Sequence, residues 1–326
     1  MSIDGPAVPS RRMRAALRAA HLYYLQDLTM QAIAQELHVS RSSVSRLLGY
    51  ARDSGLVEIR LRDPSEAGLV EEIARRHDVT AHIVPVPDHT GDADRLDRVA
   101  LSCARMLPRF VDSSMTVGVA WGSTLSAVSR FLAPSEAHNV RIVQLNGAGN
   151  TRTTGVDYAS EILRRFGDAF GAIVEQFPVP AFFDEPATKQ AMWRERSTRR
   201  VLDIQHSMDV AIFGVGSPLA QVPSHVYMGG YLERADYRSL DADRVVGDVA
   251  TVFFRADGSW RDVALNRRAS GPSLDVLRRA PRRVCVVSGV SKVPSLRGAL
   301  AAGVVTDLVL DESAARALVL DESAAR

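Results

Sequence analysis

The chain has 326 residues with 40 Lys and Arg against 38 Asp and Glu, and the basic excess sits at one end: residues 1–62 carry nine Arg against five acids, leaving 31 basic and 33 acidic residues for the rest. A basic head on a nearly neutral body suits a partner with phosphates at one end only, and the length asks for a larger second domain behind that head. Cys103 and Cys285 give no metal spacing and no disulfide framework, MSIDGPAVPS lacks the apolar run of a signal peptide, and no stretch approaches the ~20 apolar residues of a membrane helix, so the expectation is a soluble cytoplasmic protein without metal or cofactor.

After Met1–Ser10, residues 11–28 read as a scaffold helix with Leu17, Ala20, Tyr24 and Leu28 turned toward the next two helices. Those two lie within Thr29–Tyr50 and are short. Met30, Ile33, Ala34 and Leu37 recur at i, i+3, i+4, i+7, and Val44, Leu47, Leu48 and Ala51 repeat the spacing, so each helix has one apolar stripe to bury. Thr29 and Ser40 stand where a hydroxyl caps a helix start, and the His38-Val39 turn is too short for antiparallel stacking, which predicts a helix-turn-helix. Opposite the second stripe lie Ser42, Ser45, Arg46 and Gly49, with Arg41 on the flank. Short side chains there let a helix sit deep in a major groove, Arg46 forks onto a guanine edge, and Arg41 meets a phosphate; the bland reading is a solvated polar face. Val57, Ile59 and Leu61 alternate as a wing strand after a stop at Gly55, and residues 63–65 are the linker, giving a DNA-binding domain over 1–62 and a larger domain over 63–326.

Beyond the linker, helices and apolar strands alternate. Helices are predicted over 66–77, 92–111, 124–132, 157–166, 188–205 and 293–302, and strands over 81–87, 115–120, 140–145, 174–178, 210–215, 249–254, 283–288 and 305–310. Apolar strands separated by helices imply a mostly parallel sheet covered on both faces, a three-layer α/β domain that binds ligands beyond the carboxyl ends of its strands. Those ends carry the candidate chemistry. In TVGVAWGST, Gly122 leads a strand into a helix capped by Ser123 or Thr124, an anion or sugar cradle that is neither a Rossmann fingerprint nor a Walker loop. VQLNGAGN places Gln144, Asn146 and Gly147 at the next strand end, and FGVGSP places Gly214, Gly216 and Ser217 at another. Asp248 opens a strand and can accept from sugar hydroxyls, though a turn aspartate reads equally well in isolation. Lys292 comes after a glycine corner and can pair with a phosphate or simply be solvated. Their convergence describes one pocket for a small polar ligand.

SRSSVSRLLGYARDSGLVEIRL, VGVAWGSTL, IVQLNG, LNRRASGPSLDVLRRAP and VVSGVSKVPSLRGALAAGVVTDLVLDESAARAL, in that order, resemble the SorC family of sugar-responsive bacterial transcriptional regulators over nearly the whole chain. The resemblance implies an N-terminal helix-turn-helix joined to a domain similar to sugar-phosphate isomerases and deaminases, with residues 63–326 serving for effector binding and oligomerisation. It implies dimers or tetramers on double-stranded operator DNA, released or recruited by a sugar, polyol or sugar phosphate. It puts Ser123 and Thr124 at the phosphate cradle, Asn146 and Gly147 in the next loop, Asp248 at a sugar hydroxyl and Lys292 at a phosphate or hydroxyl. Relatives that bind doubly phosphorylated sugars tend to carry a cation where Asn146 stands, so a monophosphate or an unphosphorylated polyol is implied. The competing class is an isomerase or deaminase with a borrowed head, but such chemistry needs an acid/base pair, and Asp248 is the only acid the motifs bring there. Finally LVLDESAAR occurs at 308–316 and again at 318–326, and the second copy is expected to be a frayed helical extension or an artefact of the sequence.

Overall fold

A computed structural model describes residues 10–57, 64–218 and 224–320, and the chain divides into two compact units that meet between residues 63 and 64. The first holds three helices, α1 (Arg11–Tyr24), α2 (Met30–Glu36) and α3 (Arg41–Asp53). Ser10, Thr29 and Ser40 cap them, their hydroxyls accepting from the amides of Met13, Ala32 and Ser43 at 3.1, 3.2 and 3.1 Å; such a cap is worth about 0.5–2 kcal/mol. Ile33 and Ala34 of α2 and Val44, Leu48 and Ala51 of α3 are buried as their spacing predicts. On α1 the buried side is Ala16, Ala19, Ala20 and Leu22, while Leu17, expected inward, is 52% exposed. Alanines let α1 approach α3 closely, so the contact face lies one position from where the larger leucine suggests. Gly55 stops α3 at φ +74°, and the expected wing strand falls largely on residues 58–63, outside the described residues.

The second unit opens with α4 (Pro64–His77), so Pro64 and Ser65 begin a helix where a linker was expected. Then come β1 (Thr80–Val84), α5 (Asp92–Met106), β2 (Thr116–Val119), α6 (Ser123–Arg130), β3 (Arg141–Gln144), α7 (Val156–Phe170), β4 (Ile173–Glu175), α8 (Pro186–Met192) and α9 (Arg196–His206). β5 (Val210–Gly214), α10 (His225–Met228), α11 (Arg234–Ala242), β6 (Val245–Val249), β7 (Val252–Arg255), α12 (Leu274–Arg279), β8 (Arg282–Val287), α13 (Val293–Ala301), β9 (Asp307–Asp311) and α14 (Glu312–Leu320) complete it. Seven strands form one parallel sheet in the order β1-β9-β8-β5-β2-β3-β4. Alternate residues of β5 go to opposite faces: Val210 and Ile212 pack with residues of α5, α6 and α7, and Ala211 and Phe213 with residues of α4, α12, α13 and α14. That is the three-layer arrangement, and the period-2 alternation of strand side chains produces it.

Three expectations are corrected. The strand read over 249–254 is a hairpin, β6 and β7 joined at Ala250 and Thr251, whose φ values are +47° and +69°. The helix read over 188–205 is broken into α8 and α9 at Glu195, whose backbone is extended at φ −66°, ψ 138°, two residues after Trp193 packs its ring on Phe177 and Phe183 at 5.6 and 5.5 Å. The second LVLDESAAR copy is not wholly an appendage, because its first three residues end α14 and Leu318 is fully buried in the core. Residues 321–326 lie outside the described residues. Leu318→Ala should therefore cost about 2–5 kcal/mol, seen as a lower urea midpoint at unchanged slope; an unchanged midpoint would show that the last turn of α14 adds nothing to the core.

Candidate functional site

From β2 the chain steps to β3 and β4 on one side, and from β5 to β8 and β9 on the other. The direction of winding therefore reverses between β2 and β5, which makes the space beyond their carboxyl ends the topological switch point of the sheet, where a ligand crevice is expected. Trp121, Gly122, Ser123 and Thr124 from the β2–α6 corner line it, with Asn146 after β3, Gly214 and Gly216 at the end of β5, His225 of α10, and Asp248, Ala250 and Thr251 of the hairpin. A wider depression bounded by Arg76, His77, Val246, Pro294 and Arg297 lies among α4, β6 and α13. Arg76 and Arg297 there donate to the last carbonyls of α14, which leaves the strand-end cleft as the candidate binding site.

Gly122 makes the corner. It sits at φ +148°, ψ 169°, a region essentially closed to other residues, and a Cβ there would meet nothing within 4 Å, so backbone conformation and not space demands glycine. The hydroxyl cap expected from Ser123 or Thr124 is not formed: Gly122 occupies the cap position without a side-chain bond, and those two are the first helical residues. The first-turn amides of α6, the positive end of its dipole and two hydroxyls thus face the cleft together, an arrangement suited to an anionic or polyhydroxyl group.

Across the cleft stand two acceptors. Asn146 is 1% exposed; its carbonyl accepts from the Trp121 indole at 3.0 Å and the Gln144 amide at 2.8 Å, but its Oδ1 has no hydrogen-bond partner. Asp248 is 3% exposed and sits near the end of β6 rather than at a strand start. Its Oδ2 accepts from the Thr251 amide at 3.2 Å while Oδ1, like Asn146 Oδ1, has no hydrogen-bond partner among the described residues. Gly216 exists for this carboxylate: it pairs with Asp248 as an isolated bridge, and a Cβ on it would lie 1.8 Å from Oδ1. Burial pushes the Asp248 carboxyl up to about 6, against the opposing pull of Tyr227, the Thr251 amide and the Lys292 charge. The Tyr227 hydroxyl is buried beside it, yet the two are not in good hydrogen-bonding geometry.

Gly147 and Lys292 are not part of the lining. The Gly147 amide donates to Ser270 at 2.9 Å, and a Cβ there would strike the Val179 carbonyl at 2.2 Å, so this glycine packs one loop on another. Lys292 donates to the Val215 carbonyl at 3.1 Å and to Ser224, whose hydroxyl also accepts from the Ser217 amide. It ties the loop bases behind the cleft, and burial brings it down to about 8. Sequence reasoning missed an aromatic wall. Trp121 stacks on Tyr231 at 5.0 Å, and His225 packs against Tyr158 at 4.6 Å and Trp121 at 5.9 Å. Trp121, next to Gly122, was the one legible signal of it.

In the first unit, Arg41, Ser42, Ser45 and Arg46 of α3 are all exposed, opposite the buried Val44 and Leu48. Arg46 donates to Ser43 at 3.3 Å, and Ser43 and Ser42 both bond the Ser40 hydroxyl, so the start of α3 is internally braced while its outer face is open.

Comparison with known proteins assigns both units. A sugar-binding domain family matches residues 61–320, and the MarR family matches residues 17–67. The deoxyribonucleoside regulator of Bacillus subtilis is 32% identical over 314 residues, covering 94% of this chain and 97% of that protein. The sorbitol operon regulator of Klebsiella pneumoniae is 24% identical over 311 residues, 94% of this chain and 98% of that one. The solved domain of a possible sugar-binding transcriptional regulator from Arthrobacter aurescens is 57% identical, with a TM-score of 0.75 over 79% of this chain and 99% of that chain. The full-length Klebsiella sorbitol regulator shares the fold at a TM-score of 0.75, 22% identity, over 95% of this chain and 99% of that one. Among the described residues no helix is long and apolar enough to cross a membrane. With its helix-turn-helix head and its sugar-binding domain over four-fifths of the sequence, the chain belongs to the SorC family of sugar-binding transcriptional regulators.

Proposed function

We propose that this regulator binds double-stranded operator DNA through α3 and that a sugar, polyol or sugar-phosphate effector in the strand-end cleft sets how tightly. The observation that carries the reading is one cleft lined both by an uncapped helix start and by Asn146 and Asp248, each with a buried Oδ1 that has no hydrogen-bond partner among the described residues. A ligand with hydroxyl donors at one end and a phosphate or further hydroxyls at the other satisfies both sides. Gly122, Ser123 and Thr124 hold the anionic or polar end, Asn146, Gly216 and Asp248 the hydroxyl end, with Gly147 and Lys292 fixing the loops behind. On DNA, Arg41 meets phosphate while Arg46, Ser42 and Ser45 read base edges. A homodimer or homotetramer in the cytoplasm presents paired heads to a near-palindromic site.

Turnover is not part of the proposal. His225 shares the cleft with Asp248, but its ring is clasped by Trp121, Tyr158 and Tyr231, and burial lowers its proton affinity. The decisive experiment screens sugar phosphates and polyols by thermal shift, assays each for conversion, and measures affinity for the chain's own promoter at fixed salt with and without each hit. The expected result is a change of ~5- to 150-fold in duplex affinity with no conversion; stabilising compounds that leave duplex affinity unchanged would overturn it. In the head, Arg46→Ala should lose about 1–3 kcal/mol of discrimination at one base position, and an unaltered preference in sequence selection removes Arg46 from the readers.

Asp248 also predicts a pH dependence. Its carboxyl is raised in the folded protein from 3.8 to about 6, so the folded state holds the proton more tightly than the unfolded one. The group therefore destabilises progressively as pH rises from about 4 through 6, and the penalty persists above that. Asp248→Asn should be more stable than the natural chain at pH 7.5 by roughly 1–3 kcal/mol, and the difference should shrink toward pH 4. Urea unfolding at both pH values reads it; a variant equally destabilised at both would show that the carboxylate is well solvated.

A further inference from the structure

The β6–β7 hairpin stands apart from the seven-stranded sheet and meets β5 through the isolated Gly216–Asp248 bridge. Its Ala250–Thr251 turn has positive φ at both residues, a conformation that glycine and asparagine ordinarily supply. Two residues before Asp248, the Val246 carbonyl accepts from Ser295 of α13 at 2.6 Å. Ser295 is wholly buried, and Gly247 leaves it room, since a Cβ at 247 would lie 2.6 Å from the Ser295 Cβ. Two residues further along α13, Arg297 donates to the carbonyls of Ala317 and Leu318 at 3.1 and 3.2 Å. The next carbonyl, Val319, accepts from Arg76 of α4 at 2.9 Å. A guanidinium is a strong charge-assisted donor to helix carbonyls. Three consecutive carbonyls at the end of α14 are thus held by two arginines, one from α13 and one from α4. α4 is also the element that begins at residue 64, directly after the head in the chain.

We propose that the state of Asp248 reaches the start of the effector unit along β6, α13, the end of α14 and α4, with Ser295, Arg297 and Arg76 as the positioning residues of that route. The route matters for regulation through the gating proposed above, but it is tested without any effector. Asp248→Asn supplies the perturbation, and amide hydrogen exchange of the full chain reads its spread. The expected result is a change of at least ~5-fold, the lower end of usual couplings, in exchange within residues 312–320 and 64–77 as well as 293–301. Helices α5 and α7, on the opposite face of the sheet, should change only by the factor that the variant's global stability sets, and the changes along the route are read in excess of that factor. In an Arg297→Met background the effect should end at α13. Should that variant fail to fold, Ser295→Ala cuts the route one contact earlier. An Asp248→Asn effect confined to the hairpin and α13, one equally large in α5 and α7, or one that passes undiminished through Arg297→Met would overturn the proposal. Failure of the gating itself is a separate result: cleft-binding compounds that leave duplex affinity unchanged, with these exchange patterns intact.

Discussion

A carboxylate with one oxygen buried and unpaired is the feature around which the cleft is arranged. Asp248 is 3% exposed, lies in the space that the missing side chain of Gly216 leaves, and has its other oxygen held by the Thr251 amide. An unsatisfied buried acceptor costs about 1–3 kcal/mol, and a neutral side chain of similar shape would avoid most of that. The fold holds the group in place nonetheless, using a hairpin turn that is itself unfavourable for alanine and threonine. Ligand sites are where such a cost is expected, since a ligand that donates to Oδ1 offsets it. Asn146 repeats the pattern on β3, its carbonyl doubly bonded while its Oδ1 waits.

Legibility in the sequence tracks which forces are local. The two helix stripes around Ile33 and Val44, the caps at Thr29 and Ser40 and the alternation that buries both faces of β5 are short-range patterns, and the structure carries them as read. The β6–β7 hairpin was illegible because GDVATVFF is apolar almost throughout and its turn lacks the glycine or asparagine that marks such turns. The α8–α9 break falls at Glu195, where no glycine or proline marks it, beside a Trp193 ring that packs on Phe177 and Phe183, a tertiary contact without sequence signature. The aromatic wall is assembled from residues 121, 158, 225 and 231, which only the fold brings together.

The glycines of the strand ends show the same limit more sharply. Gly122, Gly147 and Gly216 occupy equivalent-looking corners, and the sequence treats them alike. One is there for a backbone angle, one to let two loops touch, and one to clear space for a carboxylate. Only the first and third bear on the cleft. A motif that says glycine at a strand end identifies the corner correctly but leaves open which of three physical demands it answers.

Magnitudes limit what a ligand in the cleft can do. A ligand shifts a conformational equilibrium only by the difference in its affinity for the two arrangements, however tightly it binds overall. Two buried acceptors satisfied on binding put a few kcal/mol at most at the cleft, and a tenfold change at the operator needs ~1.4 kcal/mol of that. Little can be lost on the way. A seven-stranded parallel sheet packed on both faces is too stiff to convert such energy into displacement. The β6–β7 hairpin lies outside the hydrogen bonding of that sheet except at the Gly216–Asp248 bridge, though Val249, Val252, Phe253 and Phe254 are buried in the same cores. The rigid sheet fixes the amides of α6 and the loop of Asn146 as one jaw; the hairpin carries Asp248 as the other. Asp248 thus stands on the one jaw that is not a strand of the large sheet, and the Ser295 hydrogen bond to the Val246 carbonyl ties that jaw to α13.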